Sequence, residues 1–170
     1  MRVFIFVLFF SVYVTGTMAQ QAYVCYDDTT HPGGKIMVGA LSLHLLENEP
    51  TFHWFRTAYS SYQPDTALLS AFERGKDRYQ LVVFGGTWCD DSQYILPRLY
   101  KWLRLSGFPD DRVHFWGVDR KKKVPGGLCD VLDIQRVPTL ILFKDGREAG
   151  RVVEYGTTGK WDVELAGFIR

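Results

Sequence analysis

Apolar residues fall in short blocks, and the spacing inside each block changes along the chain. Tyr79-Gln80-Leu81-Val82-Val83-Phe84 is a near-continuous apolar run closed by Gly85-Gly86, which suits a buried central strand. From Asp90 to about Ser106 the period becomes helical. Ile95, Leu96, Leu99 and Leu103 share one face, with Arg98, Lys101 and Arg104 on another. Val113 to Val118 reads as a second strand, Asp119 to Gly127 as a polar loop containing glycine, and Leu128 to Leu132 as a short helix. Thr139 to Phe143 and Glu148 to Glu154 are two strands joined by Lys144-Asp145-Gly146-Arg147, whose Asp-Gly is a strong hairpin signal. Lys160 to Ile169 closes the chain as a helix with Trp161, Leu165 and Phe168 inward. This order of strand, helix, strand, short helix, hairpin and helix predicts an α/β sandwich whose sheet starts parallel and ends antiparallel.

Upstream the pattern is looser. Residues 20–35 are polar, with Asp27-Asp28-Thr29-Thr30 and Pro32-Gly33-Gly34, and read as a loose lead-in. From Ile36 to about Gly75 the spacing predicts short helices. Leu41, Leu45 and Leu46 share a face, Phe52, Phe55 and Tyr59 recur at helical intervals, and Leu68, Leu69 and Phe72 follow a Pro64-Asp65 start. These pieces are too short for a domain of their own. They predict an N-terminal helical extension over residues 20–77, packed on a main domain at 78–170.

The first residues follow a different logic. Arg2 precedes a nearly all-apolar run from Val3 to Val14, and Thr17-Met18-Ala19 places small residues where a cleavage site needs them. Residues 1–19 are therefore expected to be a secretory signal peptide cut before Gln20. About 12 apolar residues fall short of a ~30 Å hydrocarbon core, so no membrane span is expected after cleavage. The mature protein is expected to be exported, periplasmic or extracellular.

Composition narrows the partners. The 170 residues are 46% hydrophobic and 23% charged, which is ordinary globular composition. Twenty basic against 19 acidic residues give a net charge of +1, with no reason to expect a nucleic-acid partner. Three cysteines, Cys25, Cys89 and Cys129, are an odd number. In an oxidising compartment one thiol stays free, pairs with another molecule, or cycles. The cysteines lack the spacing of a zinc site, and His31, His44, His53 and His114 are scattered, so neither metal nor cofactor is expected.

The chemistry concentrates in Gly85-Gly86-Thr87-Trp88-Cys89-Asp90-Asp91-Ser92-Gln93. Cys89 falls where the first strand ends and the helix begins, and unpaired N–H groups there favour an anionic sulfur. Asp90 and Asp91 oppose a second negative charge but suit a first helical turn. Trp88 can shield the sulfur. Ser92, on the same face of the turn, can donate a hydrogen bond to it but cannot form a disulfide. Further on, Val137-Pro138-Thr139 opens a strand, where a proline often marks a special turn and sometimes a cis bond.

In combination these features resemble the thioredoxin superfamily from Leu81 to Ile169. The resemblance rests on an apolar strand, Thr87-Trp88-Cys89, a helix with Pro97 inside it, Val118-Asp119, Arg136-Val137-Pro138-Thr139, Phe143-Lys144-Asp145-Gly146 and Gly156. Trp54-Phe55, Tyr62-Gln63-Pro64-Asp65 and Val118-Asp119-Arg120 extend it to exported bacterial members with a single-cysteine Trp-Cys-x-Asp-Ser motif. The resemblance implies a thioredoxin-like three-layer sandwich, a central mixed sheet flanked by helices, and a cis peptide at Pro138 facing Cys89. It also shows departures. Ser92 stands where the family has its resolving cysteine, Val83 where it buries an aspartate, and Phe115 where a lysine pairs with that aspartate. Three parts of one proton-transfer device are missing together.

The expected function is thiol-disulfide exchange through Cys89, with Ser92 as hydrogen-bond donor and with Trp88, Val137, Pro138 and Thr139 as the substrate groove. The expected partners are protein or small-molecule thiols and disulfides. A non-catalytic thioredoxin-fold binding module is the alternative. Cys129 stands open as a resolving partner for Cys89, and also as a disulfide partner for Cys25.

Overall fold

The computed structural model describes residues 22–170, so the expected signal peptide lies outside the described residues. Its centre is the apolar run identified above, strand β3 (Tyr79–Gly85), whose period-two alternation feeds two cores. Tyr79, Leu81 and Val83 point to the larger core and Phe84 to the smaller one. β3 runs parallel to β4 (Val113–Gly117) and antiparallel to β5 (Thr139–Lys144), which continues through a hairpin into β6 (Arg147–Val153).

The main helix, α4 (Asp90–Ser106), follows β3 directly. It buries Ile95, Leu96, Leu99 and Leu103 as its spacing predicts, together with Trp102, whose ring lies 4.2 Å from that of Phe72. Pro97 sits inside α4 and Gly107, in the left-handed region at φ 63°, ends it. α6 (Trp161–Gly167) covers the same face, with Trp161 and Leu165 in the larger core. α5 (Leu128–Val131) lies over the opposite face, where Cys129 joins Phe84, Val118, Val137 and Ile141. Helices on both faces of a mixed sheet make the predicted three-layer α/β sandwich.

The N-terminal part departs from the expectation. The lead-in and the start of the supposed helical stretch form a β-hairpin, β1 (Tyr23–Asp27) and β2 (Lys35–Leu41). β2 pairs antiparallel with β4, so the sheet has six strands in the order β1-β2-β4-β3-β5-β6. Leu41 ends a strand, and the helix holding Leu45 and Leu46 begins only after Ser42, whose hydroxyl accepts the Leu45 N–H at 3.0 Å. A helical interval counted across that cap therefore joins residues of two different elements. Gly39 and Gly117 are opposite each other in register, and a Cβ on Gly117 would lie 2.3 Å from the Met37 carbonyl oxygen. The glycines let the hairpin come close enough to extend the sheet. The remaining helices, α1 (Leu43–Asn48), α2 (His53–Ser61) and α3 (Thr66–Gly75), follow the predicted pattern, and Leu46, Phe55 and Phe72 are sealed in the larger core.

Candidate functional site

The chain leaves β3 at Gly85 and turns sharply before α4. Gly86 allows the turn, because a Cβ there would lie 2.7 Å from the indole of Trp88. The Trp88 ring folds back and donates its N–H to the Val118 carbonyl at 2.9 Å. Thr87 is buried; its hydroxyl donates to the Lys35 carbonyl at 2.7 Å and accepts the Met37 N–H at 3.2 Å. Gln93 reaches back to donate to the Thr87 carbonyl at 2.8 Å. The N-terminal hairpin therefore braces the turn that carries the cysteine.

Cys89 is the N-cap residue of α4 and is half-buried. Its thiol donates to the Val137 carbonyl oxygen at 3.3 Å. The Val137–Pro138 bond is cis, as the resemblance implies. Val137, Pro138 and Thr139 have buried side chains, and the Thr139 hydroxyl donates to the Arg136 carbonyl at 2.7 Å. The Pro138 carbonyl accepts the Glu154 N–H at 2.7 Å, and Thr139 pairs with both β3 and β6, so the backbone left beside the sulfur is that of Val137.

Ser92 behaves differently from the expectation of a donor to that sulfur. It is fully buried, and its hydroxyl oxygen accepts the Gly86 N–H at 3.2 Å. It closes the turn from within, while the hydrogen bond of the Cys89 sulfur goes to Val137. Val83 and Phe115 are both buried in the larger core, on adjacent strands.

The cysteines are all free. Cys25 lies exposed on β1, in a strand and not in a lead-in loop. Cys129 is 2% exposed, and burial, helped by the Asp130 carboxylate, pushes its thiol up to about 11. It belongs to the smaller core, against which Trp88 and Cys89 pack from outside.

Charge around the site is organised by residues that sequence spacing did not single out. Asp28 is buried, and Arg120 donates to both its carboxylate oxygens, at 3.0 and 2.7 Å. Burial would raise the Asp28 carboxyl, but the Thr30 N–H, the His31 ring and the Arg120 guanidinium outweigh it and hold it down to about 2. The same guanidinium lies 5.0 Å from the Trp88 ring centre. Across the helix start, burial and the neighbouring Asp91 carboxylate push the Tyr155 hydroxyl up to about 12. Asp28 and Arg120 are 92 positions apart. The one sequence signal pointing to them was Arg120 in Val118-Asp119-Arg120.

Beside Trp88 opens a groove of about 570 Å³, lined among others by His31, Lys35, Phe52, Trp54 and Gln93. Among the described residues no group of three or more His, Cys, Asp or Glu is placed to hold a metal ion. Among them, too, no helix is long and apolar enough to cross a membrane.

The sequence profile of the thioredoxin family matches residues 67–163, more than half of the chain. The chain belongs to the thioredoxin family. The chain is similar to thioredoxin-2 of Pyricularia oryzae, 33% identical over 76 residues, which are 45% of this chain and 41% of that protein. The matched stretch thus spans less than half of the relative's length. Among solved structures, an HIV epitope-scaffold superposes with a TM-score of 0.52 at 18% identity, over 76% of this chain and 92% of that one. That likeness concerns the fold alone. Mitochondrial thioredoxin 3 of Saccharomyces cerevisiae matches with a TM-score of 0.40 at 22% identity, over 66% of this chain and 96% of its own.

Proposed function

We propose that this thioredoxin-family chain is an exported monothiol protein that exchanges thiols and disulfides through Cys89 by forming mixed disulfides. The observation that carries the reading is the position of the Cys89 sulfur. It is half-buried at the start of α4, 3.3 Å from the Val137 carbonyl, with a buried serine where a second thiol would stand.

The Cys89 thiol first loses its proton to solvent. The thiolate then attacks one sulfur of a substrate disulfide. The substrate S–S bond breaks as the new S–S bond to Cys89 forms, and the other substrate sulfur leaves with the bonding electrons and takes up a proton. The Trp88 face and the Val137 backbone, positioned by the Pro138-Thr139 strand start, hold the substrate beside the sulfur. Ser92 cannot release what Cys89 has captured. An external thiol therefore attacks the mixed disulfide and frees Cys89. Such a cycle suits disulfide isomerisation or removal of small thiol caps better than net reduction.

The test is reaction of the reduced chain with a small mixed-disulfide probe, with adducts located by peptide mass. Cys89 should acquire one probe group that persists until an external thiol is added. Exposed Cys25 is the internal control: a probe that labels Cys25 and leaves Cys89 bare would sink the proposal. Partner capture that survives Cys89→Ser unchanged would point instead to the binding-module alternative.

A further inference from the structure

β1 is the outer strand of the sheet, and among the described residues it pairs only with β2. Two hydrogen bonds fix the phase of that ladder. Ala40 N–H donates to the Ala22 carbonyl and Asp28 N–H to the Gly34 carbonyl, both at 2.9 Å. By alternation Val24 and Tyr26 bond to β2, and the N–H and C=O groups of Tyr23, Cys25 and Asp27 point to the open edge. Proteins ordinarily blunt such an edge with proline, lysine, a bulge or a covering segment. β1 contains no proline, lysine or bulge, and its single charge, Asp27, is engaged by Lys35 of the neighbouring strand. It exposes Val24 at 54%, Tyr26 at 45%, and the Cys25 thiol.

We propose that this edge pairs antiparallel with β1 of a second copy, and that a low-molecular-weight disulfide converts the pair into a Cys25–Cys25 dimer. The proposal is independent of Cys89. Cys25 is the middle residue of the strand, so a two-fold axis beside it is self-complementary. Cys25 meets Cys25 of the second copy, Val24 meets Tyr26 on one face, and Tyr23 meets Asp27 on the other. A hydrogen-bonded antiparallel pair holds its Cα atoms about 5.5 Å apart. A disulfide spans roughly 4.4–6.8 Å. A five-residue ladder covers far less than the roughly 800 Å² per partner of a stable interface, so the non-covalent pair is transient and the bond makes it last.

The oxidant is the small disulfide. The Cys25 thiolate of one copy attacks it, keeps one half as a mixed disulfide and expels the other half as a thiol. The Cys25 thiolate of the second copy then attacks the captured Cys25 sulfur and expels the second half. Two protein thiols are oxidised to one disulfide, and one small disulfide is reduced to two thiols.

The experiment uses the full chain carrying Cys89→Ser, incubated with glutathione disulfide and followed by non-reducing electrophoresis and peptide mass. The expected product is a dimer joined through Cys25, absent when Cys25→Ser is added. A second variant, Val24→Cys with Cys25→Ser, moves the thiol out of register and onto the opposite face. Its cross-linking should be at least tenfold slower. Equal rates at the two positions would mean random collision and would overturn the proposal. A chain that accumulates glutathione on Cys25 yet stays monomeric would overturn it as well, because another segment or partner would then hold the edge.

Discussion

Val83 on β3 and Phe115 on β4 are register partners, and both are sealed in the larger core. In the resemblance drawn from sequence these are the positions of an aspartate and its lysine. Here they form one apolar contact between neighbouring strands, so the replacement is a packing unit and not two separate losses.

Val83→Asp should therefore destabilise strongly. It places a carboxyl with no cation at a 0% exposed position, and the expected loss is more than about 3 kcal/mol. Adding Phe115→Lys should recover part of it. Denaturant unfolding of the parent and the two variants measures both effects, and a single variant within about 1 kcal/mol of the parent would contradict burial of an unpaired carboxyl.

Ser92→Cys tests the missing resolving group. The new thiol sits one helical turn from Cys89, at a buried position. Mixed disulfides on Cys89 should then collapse quickly to an internal bond between Cys89 and the introduced thiol, and the trapped adduct should fall at least tenfold in quenched mass spectra. An adduct as long-lived as in the parent would show that the site cannot bring the two sulfurs together.

Thr87→Val removes the hydroxyl that joins the cysteine turn to β2. It strands the Met37 N–H, whose partner it is, for an expected cost of about 1–3 kcal/mol. Amide exchange should accelerate in β2 more than in β5. Uniform acceleration throughout the sheet would mean that the bond braces nothing in particular.

Acid should act through Asp28. Its folded value of about 2 lies below the ordinary carboxylate value of about 3.9, so it stabilises the fold at neutral pH. That contribution starts to fade below about 4 and is lost as pH falls through about 2. Asp28→Asn should lower stability at pH 7 and flatten its decline between about 4 and 2, measured by unfolding midpoints across pH. Parallel curves for parent and variant would remove Asp28 from the account.

Cys129 should be silent in the native state. At 2% exposure, with its thiol raised to about 11, it should resist a thiol reagent at neutral pH and react only after unfolding. Native labelling of Cys129 at the rate of Cys25 would refute the burial argument.

From Tyr79 onward β3 and α4 were legible because each carries a clean period, and the β5–β6 hairpin because Asp145-Gly146 marks its turn. β3 shows its apolar run and α4 its apolar face, with chain punctuation at Gly85-Gly86 and Gly107. Cys89 and Val137 could be brought together only through the resemblance, since no local pattern links positions 48 apart. The N-terminal hairpin was not legible. β1 has one half-buried and four exposed residues, so no apolar alternation marks it, and its order comes from the ladder to β2. The inward turn of Ser92 escaped for a related reason. Spacing placed it on the face of Cys89, but its partner is a backbone N–H six residues earlier.

The family profile begins at residue 67, after the hairpin. Recombinant pieces cut at that point would strip β2 from β4 and leave a bare, aromatic-bearing flank with Phe115 and Trp116 at its rim. Such a fragment invites clumping during expression, and its insolubility would say nothing about the chemistry of Cys89.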